Sequence, residues 1–197
     1  MPEVRRNPQA LKPRLALGVA QFLAGRENEA IDTLMQAVEL APDDSLPYFL
    51  LAEAATQSAP RILEIRAKLK RFVGLNPADA AAHFHYAQTL QGDAEAELRA
   101  AIALKPDFAR AHSTLAVLLE ERGDDESAIA AYKESLRLVP DASDVLYRLA
   151  QAYKRIGQTE QSRQTLASFL KQREREQSEA DRHRADMLQL LPAPCAP

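Results

Sequence analysis

The sequence lacks most of the features that usually reveal chemistry. Among 197 residues there is no tryptophan and a single cysteine, Cys195. One thiol cannot close an intramolecular disulfide, so nothing in the fold depends on oxidation. Placed in the tail LPAPCAP, Cys195 reads as an exposed residue rather than a nucleophile. Aromatics make up only 6% of the chain, and β-branched runs, the usual strand signal, are missing. No apolar stretch approaches the ~20 residues that span a bilayer, so no membrane insertion is expected. Neither sign of charge dominates: the net charge is -3, which argues against a concentrated basic surface for nucleic acid. The opening MPEVRRNPQALKP carries no apolar signal segment. The expected location is therefore cytoplasmic, or periplasmic if a leader has been removed.

Catalytic and metal-binding patterns are missing as well. The sequence has no HExxH, no CxxC, no acidic calcium loop, no GxSxG and no glycine-rich phosphate loop. Of the four histidines, His83 and His85 stand two residues apart, which on a helix turns their side chains about 200° from each other and rules out a shared metal. Acidic pairs such as Asp43-Asp44 and Asp124-Asp125 stand ahead of helical segments and read as caps. Catalytic residues, metal ligands and cofactor-binding residues are all expected to be none, and the chain is expected not to be an enzyme.

What is present is helix-forming sequence, rich in Ala and Leu with 27% charged residues. It is also repetitive. Four segments end alike: VELAPDD (38–44), VGLNPAD (73–79), IALKPDF (102–108) and LRLVPDA (136–142). Their prolines, Pro42, Pro77, Pro106 and Pro140, are 35, 29 and 34 residues apart. A helix cannot pass through such a proline without losing a hydrogen bond and meeting a clash, so each one marks a stop, and the Asp after it can cap the next helix. Between Pro106 and Pro140, Ala109, His112, Leu115, Ala116 and Leu119 share one helical face. Ala128, Ile129, Tyr132, Leu136 and Leu138 share another, and Gly123 between them suits a left-handed helix end. This interval is a hairpin of two helices, A and B.

His112, Leu115, Ala116, Leu119, Gly123, Ala128, Tyr132, Ser135 and Pro140 give segment 109–142 a pattern that resembles the tetratricopeptide repeat. Leu17, Gly18, Gly25, Ala30, Leu34, Ala37 and Pro42 repeat that pattern, and so do Leu146, Leu149, Ala150, Tyr153, Gly157, Ser162 and Leu166. Two segments depart from it. In 45–79 the turn is QSAP, with Pro60 expected to open helix B; 80–108 is about five residues short, with Gly92-Asp93 as its turn.

The resemblance implies an all-α, right-handed α-solenoid of about five antiparallel hairpins, covering 11–172 as repeats 11–44, 45–79, 80–108, 109–142 and 143–172. An N-terminal tail (1–10) precedes it. In the last repeat Glu174 stands where proline is expected, so its helix should run on from about Glu160 to Leu191 as a cap. Residues 173–191 form the charged extension of that helix, supported by spaced opposite charges. A disordered tail (192–197) follows.

In this family helix A lines the concave side, where extended peptides or partner helices are held. The resemblance therefore gives the groove candidates Phe84, His85, Gln88, Arg110, Ser113, Val117, Tyr147, Arg148, Gln151 and Lys154. Arg110, Arg148 and Lys154 could pair with acidic side chains or a terminal carboxylate. The chaperone-tail clamp of some family members, a Lys followed four residues later by Asn, is not reproduced. Its positions hold Leu15 and Val19 in one repeat and Ser113 and Val117 in another. The expectation is a non-catalytic scaffold for a protein or peptide partner, a bacterial module that supports a larger complex. The alternative is a structural arm or homo-oligomer that contacts neighbours through Leu11, Leu15 and Phe22 at one end and Met187, Leu188, Leu190 and Leu191 at the other.

Overall fold

The computed structural model describes residues 8–55, 61–90 and 93–189. All regular structure among them is helical: α1 (Pro8–Leu23), α2 (Glu27–Leu40), α3 (Ser45–Ala55), α4 (Ile62–Leu75), α5 (Ala80–Ala87), α6 (Glu95–Leu104), α7 (Ala109–Glu121), α8 (Asp125–Leu138), α9 (Ser143–Arg155) and α10 (Thr159–Gln189). Pro60, Gly92, Leu190 and Leu191 lie outside the described residues. The chain forms two compact units, one up to Ala111 and one from His112.

The elements are hairpins because of what separates them. Gly25, Gly123 and Gly157 each adopt a positive φ, between 72° and 79°. That conformation, which costs glycine nothing, lets the chain reverse at the end of helix A. The same pair of bonds closes all three turns. Arg26 N donates to Gln21 O at 2.9 Å, Asp124 N to Leu119 O at 3.0 Å and Gln158 N to Tyr153 O at 2.9 Å, while each glycine N–H reaches the carbonyl three residues back. Capping follows the expectation at Asp44, after Pro42, which accepts from Leu46 N at 3.0 Å, and at the aspartate after Pro77. It is Asp79, two residues after Pro77, that caps α5, accepting from Ala81 N at 2.8 Å.

In the first unit the core holds Leu15, Ile31, Leu34, Tyr48, Leu51, Ile65, Leu69 and Phe72. Tyr48 stacks on Phe72 with ring centroids 4.0 Å apart, and its hydroxyl donates to Pro42 O at 3.2 Å. Gly18 lets α1 approach α2 closely: a Cβ there would sit 2.9 Å from Leu34 Cδ2. Burying a side chain of this size contributes about 1.5–3 kcal/mol.

In the second unit Leu115, Ala116, Leu119, Ala128, Ile129, Tyr132, Leu146, Leu149 and Ala150 are buried. The small residues Ala116, Ala128 and Ala150 sit where helices meet. Ser162 Oγ ties α10 to α9 by donating to Ala150 O at 2.8 Å. Glu174, in the place that holds proline in earlier repeats, lies inside α10, which continues through the charged stretch to Gln189.

Candidate functional site

The ten candidate groove residues divide between the units. In the first, Phe84, His85, Gln88 and Arg110 gather around the end of α5, but Phe84 and His85 are buried. The expectation that they face a ligand is corrected: they are core residues. Phe84 packs on Phe108 at 4.8 Å, and the Arg110 guanidinium lies 5.1 Å above its ring. His85 meets Phe49 edge-on at 5.1 Å, and its Nδ1 lies 2.9 Å from Gln88 Oε1. Burial, with the positive charge of Arg110 adding to it, holds the His85 imidazole below its ordinary pKa. Arg110 also reaches Glu53 Oε1 at 2.9 Å, so its charge already has a partner. His83 is half-buried, with Nδ1 at 2.6 Å from Glu97 Oε2 and Nε2 at 3.1 Å from Pro77 O.

The second unit arranges its candidates differently. Ser113 and Val117 on α7 and Arg148 on α9 line one cavity of about 300 Å³ with Thr114, Asp144, Val145 and Tyr132. The Tyr132 hydroxyl donates to Glu120 Oε2 at 2.5 Å. Burial and the neighbouring Glu120 carboxylate hold that phenol well above its usual range, so it stays a neutral donor. Glu120 in turn meets Arg155 at 3.0 Å and Arg148 at 3.5 Å, and Arg155 meets Asp125 at 2.7 Å. Tyr147, Gln151 and Lys154 lie elsewhere on α9. Tyr147 and Lys154 are exposed, Gln151 is half-buried, and Tyr147 packs on Phe169 at 5.4 Å.

Thr114, Tyr132, Asp144 and Val145 were not among the candidates. Tyr132 read as core, which describes its backbone position correctly while saying nothing of the cavity beside it. Among the described residues no cluster of three or more His, Cys, Asp or Glu is placed to hold a metal. No described helix is long and apolar enough to cross a membrane.

Family models described as TPR repeat and Tetratricopeptide repeat match residues 119–157, 144–173 and 12–44. This chain is a tetratricopeptide-repeat protein. A curated relative, the BBSome complex member bbs-4 of Caenorhabditis elegans, is 31% identical over 147 residues, 73% of this chain. The tetratricopeptide chain spans about a quarter (26%) of that relative's length. Among solved structures, MamA matches with a TM-score of 0.67 at 20% identity, over 82% of this chain and 96% of its own. A thermophilic TPR protein in Thermus thermophilus matches with a TM-score of 0.68 at 19% identity, over 90% of this chain and 99% of its own. At these identities the structural likenesses establish the fold, an all-α tetratricopeptide solenoid.

Proposed function

We infer that this tetratricopeptide protein is a non-catalytic scaffold that holds a peptide or protein segment on the helix-A residues of its second unit and so supports a larger complex. One observation carries this reading. The cavity between α7 and α9 is lined by hydroxyl, carboxylate, guanidinium and aliphatic groups. Thr114 can bond a peptide backbone, and the half-buried Val117 offers apolar contact. Arg148, which meets Glu120 at 3.5 Å but keeps nearly half its side-chain surface exposed, and Lys154, exposed farther along α9, favour carboxylates. The partner is therefore a segment carrying acidic side chains or a terminal carboxylate. The curated relative's name, that of a complex member, supports the same reading at the level of the family.

The test is the double variant Arg148→Glu with Lys154→Glu beside the wild type, with helicity confirmed by circular dichroism. Partners captured from the source lysate are identified and purified, and their affinity is then measured by calorimetry. The expected result is a loss of roughly tenfold or more, equivalent to ~1.4 kcal/mol. Equal affinity of both proteins for the same partner would rule out this surface.

A further inference from the structure

Each of α1, α3, α7 and α9 carries a leucine followed by a small buried residue: Leu17-Gly18, Leu51-Ala52, Leu115-Ala116 and Leu149-Ala150. The leucine is 0% exposed in α3 and 5% in both α7 and α9, but 51% exposed in α1. In α3 and α9 the neighbour that packs against the helix from the N-terminal side is the preceding helix B, α2 and α8 respectively. On α1, Pro13, Ala16, Leu17 and Ala20 are all exposed. At about 100° per residue they form one uncharged stripe.

The helix-B series shows the converse. Leu34, Leu69, Leu98 and Tyr132 are each 2% exposed or less, whereas their counterpart in α10, Leu166, is 37% exposed. Leu170, one turn further on, is exposed too, and Glu174 continues the same face. Arg163 and Arg173 share that face of α10 and pair with Glu160 and Glu176, and the charged residues of α1, Lys12 and Arg14, are both basic, so the match between the two faces is the apolar one of Leu17 with Leu166 and Leu170.

We propose that the α1 stripe centred on Leu17 and the α10 face of Leu166 and Leu170 are the two halves of one repeat–repeat interface, and that a second copy of this chain joins them head to tail. The occupant follows from the molecule's own packing. The inner helices α3 and α9, whose leucines are buried, each pack against a preceding helix B, and α10 offers a helix-B face left exposed at Leu166 and Leu170. Such a contact is heterologous, so each copy keeps one open half and association continues with concentration.

Sedimentation velocity and light scattering on the full chain, from low micromolar concentration upward, test this. The wild type should show a mass that rises with concentration. Leu17→Glu and Leu170→Glu should each weaken self-association at least tenfold while keeping native helicity. An equimolar mixture of the two variants should then form a 1:1 dimer and stop there, because one retains an intact α10 face and the other an intact α1 face. Ala20→Glu and Leu166→Glu repeat the experiment should either first variant lose helicity. A wild type that stays monomeric throughout would overturn the proposal. So would association indifferent to both substitutions, or a mixture that fails to recover the dimer. Peptide binding by the Arg148 and Lys154 surface is measured separately, so either reading can fail alone.

Discussion

Two helix-A positions one family register apart meet opposite fates in the two units. Phe84 in α5 is buried beneath Arg110 and against Phe108, whereas Tyr147 in α9 remains exposed with its ring tilted against Phe169. The register is shared, but the neighbourhood is not. α5 is only eight residues long, and its end tightens into turns in which Thr89 N reaches Tyr86 O and Leu90 N reaches Ala87 O. The Arg66 guanidinium holds the Thr89 carbonyl. Two of the four rings on this short helix, Phe84 and His85, are covered by Phe49, Phe108 and Arg110. The longer α9 keeps the corresponding side available to solvent. A repeat position therefore sets the direction of a side chain, and whatever packs opposite decides whether it is core or surface.

The largest effect expected is at a site where the second unit has no room. Ala128 is fully buried at the meeting of α7 and α8, and Ala128→Arg would force a long, unpaired cation into that space. The cost should be on the order of 4 kcal/mol. Hydrogen exchange should show the loss first in α7, α8 and α9, and later in α2 to α4, because stability in a stacked array is local before it is global. Uniform loss across both units, or an unchanged unfolding midpoint, would contradict the packing described.

The contrast between Phe84 and Tyr147 is the next to be tested. Phe84→Ala should destabilise by about 3 kcal/mol, the usual cost of emptying a buried aromatic site. Tyr147→Ala should change stability by less than about 1 kcal/mol, because its ring is half in water already. Urea unfolding of the pair decides it. Equal costs would mean that the two positions are equivalent after all and that the short α5 is not what buries Phe84.

The repeat pattern was readable because it rests on local chemistry. Proline stops, glycine at positive φ and small residues at close approaches each leave a sequence mark that needs no knowledge of the rest of the fold. Gly123 is an example. Its positive φ of 79° was legible from its place between two periodic segments, and Gly123→Ala should cost about 1 kcal/mol by thermal denaturation, although no atom lies near enough to clash with the added methyl. The candidate site was legible only in part. Ser113, Val117 and Arg148 could be placed on one cavity from family register alone. Phe84 and His85 could not, since their burial depends on Phe49 and Phe108, 35 and 24 residues away from Phe84 in the chain. Nor does periodicity show that Glu120 holds the Tyr132 hydroxyl, because that bond joins the half-exposed side of α7 to the buried side of α8.

The smallest effect separates the units by pH. His85 is buried among Phe49, Phe84 and Gln88, and its pKa is held below the usual 6.5 chiefly by desolvation, with Arg110 adding to the depression. Gln88, Glu53 and Asp79 oppose the shift without cancelling it. In the unfolded chain the same imidazole takes up its proton near the ordinary value. As the pH falls below about 6.5 the unfolded state therefore binds the proton first, and the folded state loses stability; above that pH the contribution is complete. The carboxylates held low by ion pairing or capping, Glu39, Asp124 and Glu134, lose their contributions only at more acid pH, below the usual carboxylate range. Thermal midpoints measured between about pH 7.5 and 5.5 should consequently decline in the wild type. In His85→Phe, which keeps the ring contacts but cannot titrate, they should shift by a constant offset with the acid slope removed. The same slope in both proteins would mean that the proton is taken up elsewhere and that His85 is not sealed within the first unit.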